Sequence, residues 1–527
     1  MLARLLILLI QYLYSHMKTI FKIIALILVS VAISCSSDAP KEVAKSLDFC
    51  SSIHCEQQTG LSSIDSLTNH FKNKTGVCAL EDGGGSMVAR AWLCENAQKT
   101  IDVQYFIFST DNVGLIAVDY LVRAADRGVR VRILIDDIMV EADEEQLLTL
   151  DAHENISIKI YNPSINIGKN ILQKIGSLNA NFRNANQRMH NKTFTVDGKV
   201  VITGGRNIAD EYFDFDHEYN FRDRDVLLIG GVVRNVEKSF EQFWNSGISQ
   251  DIVSIIDASK YQLKTSQQFE TLHQYACDSN NFWPQVRTEI KNIPKTFEAI
   301  QKSGRLQWVD SVVFVSDLPG KNDGTHGLDG GGVSTSALIE LVKNAKHSIV
   351  IQTPYLITTS LGKNLFKEAV ARGVKVKIMT NSLASTDNVE AFSGYQRDRM
   401  ELLKTGVRVF EYKPDAAIRK SIMTGALQKS IDFTPIFGLH AKSMVIDGEI
   451  TVIGTFNLDP RSANLNTECI TIIYSPEITK AVLKGMEEEL KSENCWETTY
   501  NFNPDNVAGV KKNFKAGAMK VIPKGIL

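Results

Sequence analysis

The chain has 527 residues, 44% hydrophobic and 22% charged, with a formal net charge of −2 at pH 7. That is ordinary globular composition at a length that calls for more than one domain. No basic excess points to nucleic acid, although a local basic groove can hide in an average, and eight cysteines are too sparse for a disulfide scaffold.

Residues 1–34 read as a targeting segment. Met17-Lys-Thr-Ile-Phe-Lys22 is a short basic start, and Ile23 to Ile33 is an apolar run too short for a comfortable membrane span. Ala32-Ile-Ser-Cys35 then resembles a bacterial lipobox with Cys35 as the lipidated residue. An uncleaved anchor helix is the competing reading, helped by the apolar run Leu5–Ile10, and Met17 begins a better signal than Met1. A lipobox implies a lipid anchor on the periplasmic side of a bacterial cell envelope. Ser36 after the cysteine favours the outer membrane over the inner by the rule of enteric bacteria. Residues 35–76 are rich in Ser, Asp, Lys and Gln and read as a tether. Cys50 and Cys55 are close enough in sequence to pair in an oxidising compartment, and no second pair stands at zinc-ligand spacing.

An internal repeat follows. Asp82-Gly-Gly-Gly85 leads into the helical stretch Met87 to Ala97, as Asp329-Gly-Gly-Gly332 leads into Ser334 to Ala345. Neither copy completes a phosphate-binding loop, so both read as flexible leads. The strand-like Ile101–Phe108 matches Ile349–Leu356, and after a helix Arg127–Ile135 matches Arg372–Thr380. Strand, helix, strand in the same order twice predicts two homologous α/β lobes, at 77–250 and 305–500. Residues 251–304 form a helical connector, and the Asn-rich Pro163–Asn186 is a candidate loop at the mouth of a site. The tail, 501–527, alternates basic and apolar residues in Val510-Lys-Lys-Asn-Phe-Lys515 and Met519-Lys-Val-Ile-Pro-Lys524, either a membrane-surface patch or a solvated end.

Each lobe carries one copy of H-x-K-x4-D-x6-G-(G/T)-x-N. The first places His190, Lys192, Asp197, Gly204 and Asn207; the second places His440, Lys442, Asp447, Gly454 and Asn457. Alternating apolar and polar residues make each a strand, and Asp-Gly at 197–198 and 447–448 signals a hairpin turn. In a strand, residues two apart share a face, so His190 points with Lys192 and His440 with Lys442. Asp197 and Asp447 sit at the turns and read as structural. His217 and His326 have no repeat partner and read as surface or loop residues. Tyr105 and Tyr355 read as aromatic core, with lining of the cleft as the competing reading, and Cys469 reads as core.

Two such motifs resemble the paired HKD motifs of the phospholipase D superfamily. Gly204-Gly-Arg-Asn-Ile-Ala-Asp210, Asn381-Ser-Leu-Ala-Ser-Thr-Asp387 and Leu458-Asp-Pro-Arg-Ser-Ala-Asn-Leu-Asn-Thr-Glu468 resemble bacterial cardiolipin synthases, the C-type in particular. The resemblance implies a mixed sheet between helices, twice, about a pseudo-twofold axis that brings both imidazoles to one cleft. It implies His190 as nucleophile and His440 as acid, then base. It also implies that an acid from the opposite lobe contacts each histidine: Glu468 with His190, and Asp225, which opens Arg224-Asp-Val-Leu-Leu-Ile229, with His440.

A phosphodiester needs a nucleophile, cations or donors on its oxygens, and an acid for the leaving group. Histidine supplies the first and last near neutrality. Lys192 and Lys442 neutralise phosphate charge, and Asn207 and Asn457 add neutral donors. This chemistry needs no metal or cofactor, and no H-E-x-x-H or acidic cluster at ligand spacing is present. Three reactions share it: phosphatidyl transfer between phospholipids to give cardiolipin, hydrolysis to phosphatidic acid, and cleavage of nucleic acid or another phosphodiester in the periplasm. The expected partners are phosphatidylglycerol, phosphatidylethanolamine and a membrane surface rather than nucleic acid.

Overall fold

A computed structural model describes residues 61–163, 166–167, 186–281, 295–321, 330–423 and 435–527. The targeting segment, Cys35, Cys50, Cys55, His326 and most of the Pro163–Asn186 stretch lie outside the described residues.

The first lobe runs β1 (Thr75–Leu80), α1 (Gly83–Asn96), β2 (Thr100–Tyr105), α2 (Asn112–Asp126), β3 (Arg130–Asp136), β4 (Ile156–Tyr161), β5 (Thr193–Val196), β6 (Val200–Gly204), β7 (Tyr219–Arg222), β8 (Asp225–Gly230), α3 (Val233–Trp244) and β9 (Ser249–Asp251). The connector adds α4 (Thr265–Ala276) and α5 (Thr296–Lys302), which pack on α2 and α1. Trp92 stacks on Phe297 at that contact, with ring centroids 5.3 Å apart. Strand β10 (Gln307–Val309) turns back to pair with β1, so it belongs to the first sheet.

The second lobe repeats the plan: β11 (Ser311–Ser316), α6 (Val333–Asn344), β12 (Ser348–Gln352), α7 (Ser360–Ala371), β13 (Lys375–Asn381), α8 (Val389–Leu403), β14 (Arg408–Tyr412), β15 (Ile436–Leu439), β16 (Ser443–Ile446), β17 (Ile450–Gly454), β18 (Cys469–Tyr474), α9 (Pro476–Glu489) and β19 (Cys495–Thr498), then the terminal helix α10 (Gly509–Met519). Among the described residues the two main sheets have orders β10-β1-β8-β6-β5-β2-β3-β4-β9 and β11-β18-β17-β16-β12-β13-β14-β19. Within each, the strand–helix–strand units pair in parallel and the motif hairpin antiparallel. The two mixed sheets flanked by helices are the expected pair of lobes. No helix among the described residues is long and apolar enough to cross a membrane.

Period-two alternation sorts each strand's side chains to two cores. In β6, Val200 and Ile202 face the first lobe's helices, while Val201 faces the second lobe. Val201, Val226, Leu228, Val445, Ile453 and Ile473, with residues of α3 and α9, make one buried cluster between the lobes. Burial of that continuous apolar area holds the lobes together.

The glycines before α1 are helix, not a flexible lead. Asp82 caps the helix by accepting from Gly85 N at 2.6 Å. A Cβ on Gly83 would lie 2.7 Å from Phe213 Cα, so the helix end can approach that backbone only as glycine.

Candidate active site

Both motif hairpins turn at residues with positive φ, Asp197 (51°) with Gly198 (65°) and Asp447 (54°) with Gly448 (70°), as a type I′ turn requires. The aspartates are anchors. Asp197 accepts from the backbone N–H of Gln98, Lys99 and Thr100, and Asp447 from those of Lys346, His347 and Ser348. Each carboxylate thereby ties its hairpin to the start of β2 or β12.

The His-Lys segments are not strand. β5 begins at Thr193 and β16 at Ser443, and the preceding residues are extended chain whose backbone partner is the other lobe. His190 N donates to Thr467 O at 3.0 Å, and His440 N donates to Arg222 O at 2.8 Å. β15, just before His440, pairs in parallel with β7 of the first lobe. Each histidine is therefore pinned beside the residue after Thr467 or Arg222. Those residues are Glu468 and Asp223. His190 Nδ1 lies 2.8 Å from Glu468 Oε2, and His440 Nδ1 lies 2.6 Å from Asp223 Oδ2.

Asp225 does not reach His440, which corrects the expectation. Register explains why: Gly204 pairs with Asp225 and Gly454 with Ile470, so Asp225 is the counterpart of Ile470, and Asp223 of Glu468. Opening a strand is a poor guide, because β8 and β18 start at non-equivalent positions. Asp225 is instead a buried structural anion, 2.9 Å from Arg90 Nη2 and accepting from Ser86 Oγ and Arg206 N. The two lobes also differ beside the acids. Thr455 Oγ1 donates to Glu468 Oε2, whereas its counterpart Gly205 leaves room for Asp223, whose Oδ1 would lie 2.0 Å from a Cβ there.

Ionised carboxylates only accept, so each imidazole donates from Nδ1 and presents Nε2. Burial, joined by the nearby lysines, pushes the histidines below their usual value, His190 to about 4 and His440 to about 3, despite the acids. The imidazoles are thus neutral at pH 7. Burial pushes the lysines down too, Lys192 to about 7 and Lys442 to about 8, with Lys442 adding repulsion at Lys192. Asp223 and Glu468 are held below the carboxylate range by the histidines and lysines, against burial. Each histidine feels the lysine of the other lobe as well as its own, so the two pairs form one site.

The pairs are not equivalent. Lys442 Nζ stands 2.9 and 3.1 Å from the two ring nitrogens of His440. Both lysines donate to the backbone oxygen of their own motif's histidine, but Lys192 Nζ lies over the Phe106 ring, 5.6 Å from its centroid, instead of against the imidazole nitrogens. Nε2 of His190 therefore meets no protein donor among the described residues. Aromatic edges hold both imidazoles: Phe106 at 5.1 Å from His190, and Tyr212 and Phe221 at 5.0 and 4.6 Å from His440.

Asn207 is buried, its Oδ1 accepts from Ile107 N at 3.1 Å, and its amide N–H groups are the donors, directed in part to the Tyr212 hydroxyl. Asn457 is buried beside Lys442's hairpin with Oδ1 unpartnered. Tyr105 is core, its hydroxyl accepting from Arg90 Nε, and Cys469 is fully buried. Tyr355 is half-buried and donates to Asp387 Oδ2 at 2.8 Å. His217 is exposed. Asp119, His273 and Cys277 cluster at ligand distance, but Cys277 is in a disulfide and offers no thiolate. The motif spacing alone marks none of Asp223, Phe106, Tyr212 and Phe221. An alignment of the two repeats on Gly204 and Gly454, allowing the first lobe a longer link to β8, is the signal that finds Asp223.

The model of the cardiolipin synthase phospholipase D-like domain matches residues 93–244 and 338–490. Cardiolipin synthase C of Escherichia coli K12 is 32% identical over 433 residues, 80% of this chain and 86% of that protein. An uncharacterised protein of Helicobacter pylori J99 is 34% identical over 413 residues, 78% of each. A phosphatidylserine synthase structure from Haemophilus influenzae Rd KW20 shares the fold with TM-score 0.55 at 14% identity, covering 88% of this chain and all of that one.

Proposed function

This chain belongs to the phospholipase D-like cardiolipin synthase family, and we propose that it transfers a phosphatidyl group between phospholipids to form cardiolipin through a phosphohistidine. The crossed histidine–carboxylate pairs carry this reading: two neutral imidazoles, each oriented by an acid of the other lobe, stand with two lysines in one site. In the first step His190 Nε2 attacks phosphorus and the bond to the departing headgroup oxygen breaks. His440, protonated as the anionic phosphate offsets the lysines around it, gives that oxygen its proton. In the second step a phosphatidylglycerol hydroxyl attacks, His440 takes its proton, and the phosphorus–nitrogen bond breaks. The absence of a donor at His190 Nε2, against the lysine on His440, favours His190 as nucleophile. Lys192, Lys442, Asn207 and Asn457 supply the charge and donors that the phosphoryl oxygens need.

Two features favour lipid over nucleic acid. Net charge is −2. A cavity of about 750 Å³, lined by Leu338, Ile339, Leu365, Phe366, Met444 and Leu458, adjoins the second motif, since Leu458 follows Asn457. The equivalent gap in the first lobe, between α1 and α2, is closed to about 40 Å³ by Tyr120, Phe108 and Phe213. The disulfide at Cys277 fits an oxidising compartment, and with the Cys35 lipobox it supports a lipid-anchored periplasmic location.

The test is to incubate the purified protein with labelled phosphatidylglycerol and phosphatidylethanolamine and identify the products. Cardiolipin supports the proposal. Phosphatidic acid alone makes the enzyme a hydrolase, and no lipid turnover with cleavage of a nucleic acid overturns the lipid reading.

A further inference from the structure

Exposed apolar side chains on a soluble surface are normally scattered singly. At the C-terminal end they gather. Val507, Val510 and Phe514 recur at spacings of three and four, which puts them on one face of α10 and the turn before it. Val510 is 89% exposed, Phe514 78% and, just beyond the helix, Val521 86%. Tyr500 and Phe502 extend the same end of the chain and are also exposed. The opposite face buries Ala516 in the second lobe's core. Lys511, Lys515 and Lys520 are exposed, Lys511 and Lys515 on one flank of the apolar face and Lys520 on the other, with Lys515 paired to Glu390 at 3.0 Å. An apolar stripe edged by lysines is the pattern of a helix that lies in a bilayer interface, its apolar side chains among acyl chains and its ammonium groups at anionic headgroups.

The helix is fastened to the catalytic lobe. Lys512 Nζ donates to Thr386 O at 2.8 Å and to Ala384 O at 3.3 Å. The next residue is Asp387, which receives the Tyr355 hydroxyl and acts electrostatically on Lys442. Asp505, in the turn before the helix, forks to Arg399 of α8 at 2.7 and 3.0 Å, and Arg397 donates to Lys520 O.

We propose that α10 is a membrane-docking element that seats the second lobe on an anionic phospholipid surface and so presents lipid to the cleft. This rests on the lipid reading of the site and adds the surface through which lipid is reached. Bound at a bilayer, Phe514 and Val510 enter the acyl boundary, Lys511 and Lys520 stand at the headgroups, and the buried residues 384–386 lie behind the helix.

The full chain, with p-benzoylphenylalanine at 510, 514 or, as an exposed control, 302, is irradiated on vesicles of phosphatidylglycerol and phosphatidylcholine. Lipid adducts at 510 and 514 but not at 302 are expected, and they are lost in Lys511→Glu/Lys520→Glu. The double variant Val510→Asp/Phe514→Asp should lose about tenfold or more in kcat/KM on vesicles and retain the wild-type rate on a soluble nitrophenyl phosphodiester. Absence of lipid adducts at 510 and 514, or an adduct of twice the chain mass, overturns the proposal; the latter makes the face a contact between copies. Lipid adducts without any phospholipid turnover leave docking in place and remove the proposed reaction instead.

Discussion

Asp223 extends out of the first lobe to within 2.6 Å of His440 Nδ1 in the second, as Glu468 of the second lobe stands 2.8 Å from His190 of the first. Neither histidine takes its carboxylate from its own lobe, so the paired site exists only when both lobes are docked.

Asp223 and Asp225 therefore separate function from stability. Asp223→Asn keeps the fold and frees the tautomer of His440, so kcat should fall about 10²–10⁴-fold with little change in melting temperature. Asp225→Ala leaves Arg90 and Arg206 buried around a missing anion and should cost about 3–5 kcal/mol of stability, read by denaturant unfolding. Equal effects of the two variants on both readouts would refute the assignment.

The pH profile follows from the lowered values. Histidine is nucleophilic only when neutral, above its pKa; lysine neutralises phosphate only when charged, below its own. With a nitrophenyl phosphodiester, which needs no acid for its leaving group, kcat/KM should rise through about pH 4 with His190 and fall through about pH 7 to 8 with Lys192 and Lys442. In water the same groups would give limbs near ~6.5 and ~10.4. Limbs found there would mean that the cleft does not exclude solvent.

The histidines should divide the work. With the same substrate, His440→Ala should release a burst of nitrophenol and stall as a phosphohistidine, because the acceptor hydroxyl lacks its base. His190→Ala should give neither burst nor adduct. The adduct in His440→Ala should map to His190; an adduct on His440 in His190→Ala would reverse the roles.

Activity should survive exhaustive chelation, since imidazole, ammonium and amide groups supply every step. Loss with EDTA and recovery with a divalent ion, once effects of the ion on the lipid are controlled, would replace the mechanism.

Cys35→Ser should abolish lipid labelling and leave an unprocessed precursor on a gel. A variant processed and labelled like the wild type would remove the lipoprotein reading.

Residues 190–207 and 440–457 determine their hairpins locally. Alternation makes the strands, Asp-Gly makes the turn, and the half-buried aspartate that binds the first amides of the neighbouring β2 or β12 is already in the motif. Repetition of those patterns was enough to read two lobes and both His-Lys pairs. The acid partner of His440 was not readable in the same way. Asp223 and Asp225 are both aspartates flanking the same arginine, and β8 starts one residue later than the equivalent point of β18, which hides which of them matches Glu468. That start is set by pairing with Gly204, and the contact itself by β15 crossing to β7 of the other lobe. The difference between Lys192 and Lys442 likewise has no local signal, because both follow the same H-x-K. Both ammonium groups meet their own histidine's carbonyl, and whether the ammonium also lies over Phe106 or against the His440 ring nitrogens depends on what each lobe packs there. Local pattern fixes what a strand's own neighbours impose; partners brought from hundreds of residues away are fixed by the burial of Val201, Val226, Val445 and Ile453 between the sheets.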